Sequence, residues 1–537
     1  MLLGLVASLT LLLGVDSAPT IQLGKTTLVG RDITVLQQDF FGGIPFAEPP
    51  LGYLRLRPPI LKSSLDSSTF NASNFGLACL QTSLPLAAMS EDCLTINVFR
   101  PSGTPANAKL PVVSPHQVYG GGFDGGAATI FNASGIVAQS VARGTPLIYV
   151  NFNYRLGPLG FPQGQEADDR GALNLALKDQ LTALEWVQLH IETFGAIKRS
   201  AGSIMTANLF LNSPISSLAR AAIFESGSAA TAALFNAARG EIDWQNFVGA
   251  VPSCASTATS GNTFGCLRAA NTSDIFLGLA AAMAEANKQF PWDPTLDGPG
   301  GLIPDLPSIL LERGQFARLP FIAGTNLDEG TVFVPQAVNS TTQVHDLLVS
   351  LNSPSVAPSI LESSIQTTLE LYPDVAALGS PFNTGNATFG LSSQFKRAAA
   401  IGEWRLGLLS QRRLWMETAT KAGVKTFGYL FTQPQPNIPP ALGVSHGSEV
   451  TFVYGAPSDP SVSALTISRL MVDYWVSFAT SLTPNDGLGI PRPQWTQFTP
   501  QNKAVMQLNG DNTSMIPDTF REEQTAFFNS NPIIWRH

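Results

Sequence analysis

The stretch Leu147-Ile148-Tyr149-Val150-Asn151-Phe152 is an almost unbroken apolar run, which predicts a buried β-strand. The chain then changes period, because apolar residues recur every three or four positions from Leu177 to Phe194 and predict a helix. Further strands are predicted at 221–224, 319–323 and 425–431, and long helical patterns near 395–421 and 461–480. Strands that alternate with helices predict an α/β fold with a central, mostly parallel sheet, flanking helices and large insertions.

The N-terminus is apolar from Met1 to Val15 and then turns small and polar at 16–19. This pattern predicts a secretory signal peptide at 1–17, since the run is too short to span a bilayer; a buried helix is the alternative. No later segment reaches about 18 uncharged apolar residues, and the C-terminal residues carry neither a lipid-anchor nor a retention signal. We therefore expect a secreted, extracellular protein without a membrane anchor.

The chain has few charged residues, and its net charge is negative. Only 13% of the residues are charged, about half the usual share, and the net charge is -8. No basic stripe suggests a nucleic-acid partner. The sequence contains no linker, internal repeat or low-complexity stretch, so residues 18–537 are expected to form one large domain.

Four cysteines and six glycosylation triplets fit an exported chain. Pairing of nearest neighbours would join Cys79 to Cys93 and Cys254 to Cys266, and none of the four has the paired spacing of a zinc site. No metal is therefore expected. The triplets begin at Asn71, Asn132, Asn271, Asn339, Asn386 and Asn512.

Three sequence blocks occur in a fixed order near the start of the mature chain. They are Gly43-Ile44-Pro45-Phe46-Ala47-Glu48-Pro49-Pro50, Glu91-Asp92-Cys93-Leu94-Thr95-Ile96-Asn97-Val98 and Tyr119-Gly120-Gly121-Gly122-Phe123. Together they resemble the type-B carboxylesterase/lipase family, which has the α/β-hydrolase fold and includes cholinesterases and extracellular fungal lipases. The resemblance extends over roughly residues 20 to 525. It implies that the glycines of the third block form an oxyanion hole.

The same resemblance implies a catalytic triad in the chain order serine, acid, histidine. Glu329 follows a predicted strand in a segment that resembles the acid loop of the family, and His446 lies in one that resembles its histidine loop. The chain has only five histidines, so this context is informative. The alternative is an ordinary surface acid and a loop histidine.

Ser200 is the candidate nucleophile, but its surroundings depart from the family pattern. A nucleophile elbow needs small residues two positions before and after the serine. Gly202 meets this requirement, whereas Lys198 and Arg199 stand where the family has glycine and an acid. The segment after Phe194-Gly195 is also about seven residues too short, which removes most of the strand that should present Ser200.

A second departure lies upstream, where Ser114-Pro115-His116-Gln117 interrupts an apolar run that should be a central strand. Proline removes a ladder hydrogen bond there. Two faults in adjacent strands suggest one cause, either an error in the gene model at exon boundaries or a true pseudoenzyme. As written, the chain is expected to be a very weak esterase.

The expected chemistry follows from the resemblance. Ser200 attacks an ester carbonyl, His446 transfers the proton, Glu329 orients the imidazole, and the N–H groups of Gly121, Gly122 and Ala201 hold the oxyanion. No cofactor is needed, and the partner is a small-molecule ester. The rival function is a non-catalytic, carboxylesterase-like binding protein.

The loop at 80–92 gives information about the substrate, and two pairs of an arginine with an acidic residue give information about the scaffold. Only thirteen residues separate Cys79 from Cys93, too few for the long lid of lipases, and none is aromatic, as a choline site would require. An uncharged ester with an apolar acyl or alcohol part is favoured. The family pattern also implies two structural ion pairs, Arg155 with Asp179 and Arg55 with Glu91.

Overall fold

The computed structural model describes residues 18–113, 121–196, 204–229, 231, 233–286, 290–405 and 408–537. The predicted signal peptide, Ser200 and Ala201 lie outside the described residues, as do the irregular segment 114–117 and Lys198. The strands in the described part are β1 Thr20–Leu23, β2 Thr26–Val29, β3 Arg31–Ile33, β4 Gln38–Pro45, β5 Thr69–Asn71, β6 Thr95–Pro101, β7 Val112–Val113, β8 Ile148–Phe152, β9 Ala222–Glu225, β10 Phe321–Asn326, β11 Thr426–Phe431, β12 Ala504–Leu508 and β13 Ser514–Pro517.

The helices surround these strands and connect them. They are α1 Ser134–Ala142, α2 Gly157–Gly160, α3 Gln165–Asp169, α4 Leu175–His190, α5 Ile204–Phe210, α6 Glu241–Ala250, α7 Phe264–Ala269, α8 Thr272–Glu285, α9 Pro307–Glu312, α10 Thr341–Asn352, α11 Pro358–Leu371, α12 Ser393–Arg405, α13 Leu409–Lys421, α14 Val450–Val453, α15 Val462–Ser481, α16 Glu522–Asn529 and α17 Pro532–Trp535. The α/β class is confirmed. None of the described helices is long and apolar enough to cross a bilayer.

The strands form two five-stranded sheets and a small three-stranded one. The first large sheet has the order β3-β4-β6-β8-β7, and only its β7–β8 pairing is parallel. The second has the order β13-β12-β11-β10-β9 and is parallel except for β13 at its edge. The predicted parallel arrangement therefore holds in the C-terminal sheet, whereas the N-terminal sheet is built largely from antiparallel pairs and the whole is mixed.

Strands β7 and β9 are edge strands of the two large sheets. Beyond β7, Leu110 forms a parallel bridge with Ala196, and the Leu110 N–H donates to the carbonyl of Gly195 at 2.8 Å. Ala196 is buried. The described chain thus lies beside β7 as far as Ala196, and Ser200 follows four residues later in the sequence.

The predicted core elements are buried as their sequences require. Every residue of β8 is buried, as expected for a strand covered on both faces. Helix α4 buries Leu177, Leu184 and Val187 on the stripe that its period predicted. The segment predicted near 395–421 corresponds to α12 and α13, and the one near 461–480 corresponds to α15.

The expected cross-links of the scaffold are present. The disulfides are Cys79–Cys93 and Cys254–Cys266. Arg155 meets Asp179 with Nη2 and Oδ1 2.6 Å apart, and Arg55 meets Glu91 with Nε and Oε2 2.6 Å apart. All four charged side chains are buried, so loss of one partner would leave an uncompensated charge. These pairs hold loops of the scaffold together.

Candidate active site

The acid Glu329 is presented by the end of a central strand. Strand β10 ends at Asn326, and Glu329 begins a short 3-10 turn at 329–332. Its side chain is buried, and its Oε1 accepts a hydrogen bond from the backbone N–H of Asn326 at 2.6 Å. This bond fixes one carboxylate oxygen and aims the other away from the strand. The position matches the general location of ligands and catalytic groups at the carboxyl ends of parallel strands.

His446 receives the second oxygen of this carboxylate. Its Nδ1 lies 2.7 Å from Glu329 Oε2, and its side chain is 32% exposed, whereas that of Glu329 is 1% exposed. Burial acts to lower the pKa of His446, but the charge of Glu329 and the hydrogen bond outweigh burial and leave the pKa above its usual value. Because Nδ1 faces the carboxylate, Nε2 is the nitrogen left to exchange a proton with a nucleophile.

Asp328 ties the acid loop to the histidine loop. The backbone N–H of Asp328 donates to the carbonyl of Val444 at 3.0 Å, and the Val444 N–H donates back to Asp328 Oδ2 at 2.8 Å. The other oxygen, Oδ1, accepts from the Ser380 hydroxyl at 3.0 Å and from the Phe382 N–H at 2.8 Å. Sequence reasoning missed this role; the only signal was that Asp328 adjoins Glu329.

A second buried carboxyl group supports the histidine loop from the other side. Glu449 accepts a hydrogen bond from the side-chain amide of Asn326 and one from the Ser226 hydroxyl at 3.4 Å. Asn326 also donates to the carbonyl of Ser445 at 2.9 Å. Burial and the nearby charge of Glu329 raise the pKa of Glu449. The residue before His446 is therefore bonded directly to the end of β10.

The glycine loop adopts a backbone that side chains disfavour. Gly121 and Gly122 have φ of 140° and 63°. A Cβ on Gly121 would lie 2.5 Å from the carbonyl oxygen of Gly125, and one on Gly122 would lie 2.5 Å from the ring of Phe290. Glycine is therefore required at both positions. Neither N–H donates a hydrogen bond to another described residue.

An aromatic wall, formed by Phe123, Phe290 and Phe333, connects the glycine loop to the histidine. The ring centroids of Phe123 and Phe290 are 6.5 Å apart, and those of Phe290 and Phe333 are 6.2 Å apart. The ring of Phe333 lies 5.0 Å from that of His446. The sequence analysis missed these residues, because no local pattern shows that they meet.

The short disulfide loop is attached to the glycine loop. The side-chain amide of Gln81 donates to the carbonyl of Gly126 at 2.7 Å, and the Gly126 N–H donates to Gln81 Oε1 at 2.8 Å. The Ser83 hydroxyl also donates to this Oε1 at 2.6 Å. These reciprocal bonds hold the loop at 80–92 in place beside the glycines.

Four of the six predicted catalytic and oxyanion residues lie in the described part of the chain. Glu329 and His446 are hydrogen-bonded, and Gly122, which follows Gly121, lies against Phe290 of the aromatic wall that reaches His446. Ser200 and Ala201 lie outside the described residues. Within the described residues, no cluster of three or more His, Cys, Asp or Glu side chains could hold a metal ion.

Comparison with known proteins gives one consistent result. A model of the Carboxylesterase family matches residues 17–528. Lipase 2 of Geotrichum candidum is 32% identical over 541 residues, 92% of this chain and 92% of that one. Secreted lipase 1 of Botryotinia fuckeliana is 30% identical over 563 residues, 96% of this chain and 93% of that one. The crystal structure of Aspergillus niger EstA is 24% identical and has a TM-score of 0.81 over 97% of this chain and 100% of that one, so the two share a fold.

Proposed function

The chain belongs to the carboxylesterase family, and on that premise we propose that it is a secreted serine hydrolase of uncharged, apolar carboxylic esters. Its membership and its lipase relatives make it a carboxylic ester hydrolase. The proposal adds the residues, the mechanism and the location. In it, residues 1–17 are a signal peptide and 18–537 are the hydrolase domain.

The single observation that carries the proposal is the contact between Glu329 and His446. A buried carboxylate at the end of a strand is bonded at 2.7 Å to a histidine whose ring is partly exposed. His446 combines a buried partner with a ring that is partly open to solvent, whereas both partners of the structural pair Arg155 and Asp179 are buried. A general base needs that opening, because its free nitrogen must reach a nucleophile.

In the proposed mechanism, Ser200 is the nucleophile. As its Oγ attacks the ester carbonyl, His446 Nε2 accepts the hydroxyl proton, and Glu329 stabilises the imidazolium. The tetrahedral intermediate collapses when His446 returns the proton to the departing alcohol, which leaves an acyl group on Ser200. Water then attacks the acyl-enzyme with His446 as base, and the carboxylic acid leaves.

The oxyanion is assigned to the N–H groups of Gly121, Gly122 and Ala201. Removal of one such donor typically costs about 10²–10³ in rate. The aromatic wall favours an ester with an apolar acyl or alcohol part, because its rings offer no partner for a charged group other than a cation. The lipase relatives are in keeping with such a substrate.

Secretion and glycosylation belong to the same proposal. One relative is named a secreted lipase, and two disulfides suit an oxidising compartment. The asparagines of the glycosylation triplets are all exposed, so each can be reached by a glycosyltransferase: Asn71, Asn132, Asn271, Asn339, Asn386 and Asn512.

The rival function is a carboxylesterase-like binding protein, which is favoured by Lys198 and the short segment before Ser200. A fluorophosphonate probe separates the two, because it labels only an activated serine. We expect labelling of the unmodified chain, slow but measurable, and none of Ser200→Ala. The substitution His446→Ala should abolish labelling as well.

The matched control is His345→Ala, since His345 also contacts a glutamate, Glu362, at 2.8 Å but lies on the surface. It should label as the unmodified chain does. Labelling that persists in Ser200→Ala would assign the nucleophile to another serine. No labelling at all under conditions in which the folded protein is stable would favour the binding protein.

A further inference from the structure

A second cavity of about 290 Å³ lies away from the triad, between α11, α12 and α16. We call it the Arg521 cavity. Its lining residues are Leu371, Tyr372, Pro373, Ala377, Leu378, Gly379, Phe382, Asn383, Arg397, Ala400, Phe520, Arg521 and Gln524. The volume is close to the lower end of the range of about 300–1,000 Å³ that small-molecule sites occupy. It would therefore suit a ligand of modest size.

Two guanidinium groups line this cavity, and no carboxylate lines it. Arg397 donates to the backbone carbonyls of Tyr372 and Leu369, the latter at 2.5 Å, and Arg521 donates to the carbonyl of Leu378. These acceptors are neutral, so they satisfy hydrogen bonds without balancing the charge. Asp374, next to the lining residue Pro373, acts on the charge of Arg397, and the residues that line the cavity are net positive.

The guanidinium of Arg521 is held among three aromatic rings. Its central carbon lies 4.4 Å from the ring centroid of Phe382, 5.0 Å from that of Tyr372 and 5.6 Å from that of Phe520. Its Nε is buried and has no hydrogen-bond acceptor among the described residues. The rings orient the guanidinium and supply apolar surface beside it. The packing thus holds the guanidinium in a fixed position at the cavity.

Glu403 is a buried carboxyl group whose pKa responds to the charge of Arg521. Burial raises the pKa of Glu403 well above its usual value, even though the positive charge of Arg521 acts against this shift. Because burial disfavours its charged form, Glu403 balances the charge of Arg521 less well than an exposed carboxylate would.

The cavity is separated from the triad by Asp328. The Phe382 N–H and the Ser380 hydroxyl, both on the segment that forms the cavity wall, bond Asp328 Oδ1, while Oδ2 bonds the histidine loop at Val444. A ligand in the cavity would lie behind the acid loop. It would not contact the aromatic wall or His446.

From these observations we propose that the Arg521 cavity binds a free monocarboxylate with a linear apolar chain of medium length. The carboxylate would accept from the guanidinium of Arg521, a charge-assisted bond of the stronger kind, and the chain would lie against Phe382, Tyr372 and Phe520. The site goes beyond the proposed hydrolase chemistry, because it needs neither Ser200 nor His446.

The test is a calorimetric titration of octanoate, up to about 10 mM, into the full chain carrying Ser200→Ala. This background removes turnover, so a failure of the esterase mechanism and a failure of this site remain separate results. We expect saturable binding at one site. Octanol, which has the same chain without the charge, should bind at least about tenfold more weakly.

Two variants locate the ligand. Arg521→Gln should weaken octanoate binding at least about tenfold, because it removes the charged donor. Since Arg521 also bonds Leu378, thermal unfolding is measured to show that the variant is folded. Asn383→Asp places a negative charge, which repels the carboxylate of octanoate, at the exposed rim of the cavity. The φ of 61° at this position is one that aspartate tolerates. The variant should weaken octanoate binding about fivefold without removing a contact.

The control is Arg318→Gln, which removes the same charge from an exposed position outside the cavity. Its affinity for octanoate should stay within about twofold of the parent. The proposal is overturned if octanoate does not bind, if octanol binds equally well, or if both cavity variants keep the parent affinity.

Discussion

At the scale of single residues, the properties of His446 result from two opposing effects. Burial disfavours the imidazolium and lowers the pKa of His446. The carboxylate of Glu329, 2.7 Å away, favours the imidazolium, and the pKa is raised overall. The raised pKa makes the histidine a better proton acceptor when it is neutral. It also means that the base becomes neutral only at a higher pH than an exposed histidine would.

Replacement of Glu329 by glutamine removes the charge but keeps a hydrogen-bond acceptor. Only the charge of Glu449 then still opposes burial, so the pKa of His446 should fall, and the acid limb of the pH profile for kcat/KM should move to lower pH. The maximal rate should drop by about 10³–10⁴-fold, because the imidazolium loses its stabilising charge. Steady-state rates on a short-chain ester across pH provide the measurement.

Glu362→Gln is the matched control, since Glu362 Oε2 lies 2.8 Å from Nε2 of His345, a partly exposed histidine that also contacts Asp346. It should change neither the rate nor the profile. An unshifted acid limb in Glu329→Gln would mean that another group, such as Glu449, sets the pKa of His446.

At the scale of structural elements, we expect the segment before Ser200 to decide how active the chain can be. The last described residue before this segment is Ala196, which forms a parallel bridge with Leu110 beside β7. Only four residues then lead from Ala196 to Ser200, and they include Lys198 and Arg199. A serine displaced by even ~1 Å can lose about 10²-fold in rate.

We therefore predict that replacing 196–199 by a longer apolar strand ending in Gly-Glu raises esterase activity by at least about 10²-fold. The measurement is kcat/KM on a short-chain ester. Ser200→Ala should abolish the gain, and His446→Ala should be about as damaging, since triad members act as a unit. Ordinary enzyme rates in the unmodified chain would contradict this account of the elbow.

The disulfide loop leads to a second prediction at this scale. Because the reciprocal bonds between Gln81 and Gly126 hold the loop, and because it spans only residues 80–92, it cannot act as a large lid. Hydrolysis of a short-chain ester should therefore show no sharp rise as the substrate passes its solubility limit. An increase of an order of magnitude at the interface would show that another segment covers the site.

At the scale of the whole molecule, buried carboxyl groups control how stability depends on pH. Burial, with the nearby charge of Glu449, raises the pKa of Glu225 to about 8, and burial beside Asp293 raises that of Asp124 to about 8. In contrast, the Arg412 and Arg413 guanidinium groups outweigh burial and hold the pKa of Asp518 at about 2.

The raised and lowered pKa values have opposite effects on how the free energy of unfolding changes with pH. A carboxyl group with a raised folded pKa contributes stability that is fully present below its unfolded pKa and is lost as pH rises toward 8. Asp518 contributes stability above its unfolded pKa, and that contribution is lost as pH falls toward 2. The free energy of unfolding should therefore be highest near pH 5 and should fall by a few kcal/mol between about pH 5 and 8.

Glu225→Gln should flatten the alkaline fall, because glutamine stays neutral and can still accept the Trp475 N–H, now 2.5 Å from Glu225 Oε1. Urea unfolding at several pH values gives the free energies. Glu312→Gln, at an exposed position, should leave the curve unchanged. A curve that is equally steep in Glu225→Gln would assign the fall to other groups.

Much of the site could be predicted because its signals are local. Glu329 and His446 lie in short blocks with recognisable neighbours, and Gly121 and Gly122 are glycines for a conformational reason visible in their φ values. The disulfides followed from nearest-neighbour pairing. The supporting contacts could not be predicted, because Asp328 and Val444 are 116 residues apart in the chain and neither has a local motif.

By itself, the sequence determined the α/β class and the positions of the main strands and helices, and it identified Glu329, His446 and the glycines as candidate site residues. Those features depend on periodicity and on short motifs, which act over a few residues. Only the tertiary structure decided that the first sheet is largely antiparallel, that Phe290 and Phe333 join the glycine loop to His446, and that Arg521 lines a second cavity. These features depend on which distant segments become neighbours, and that choice is made by the packing of the whole chain.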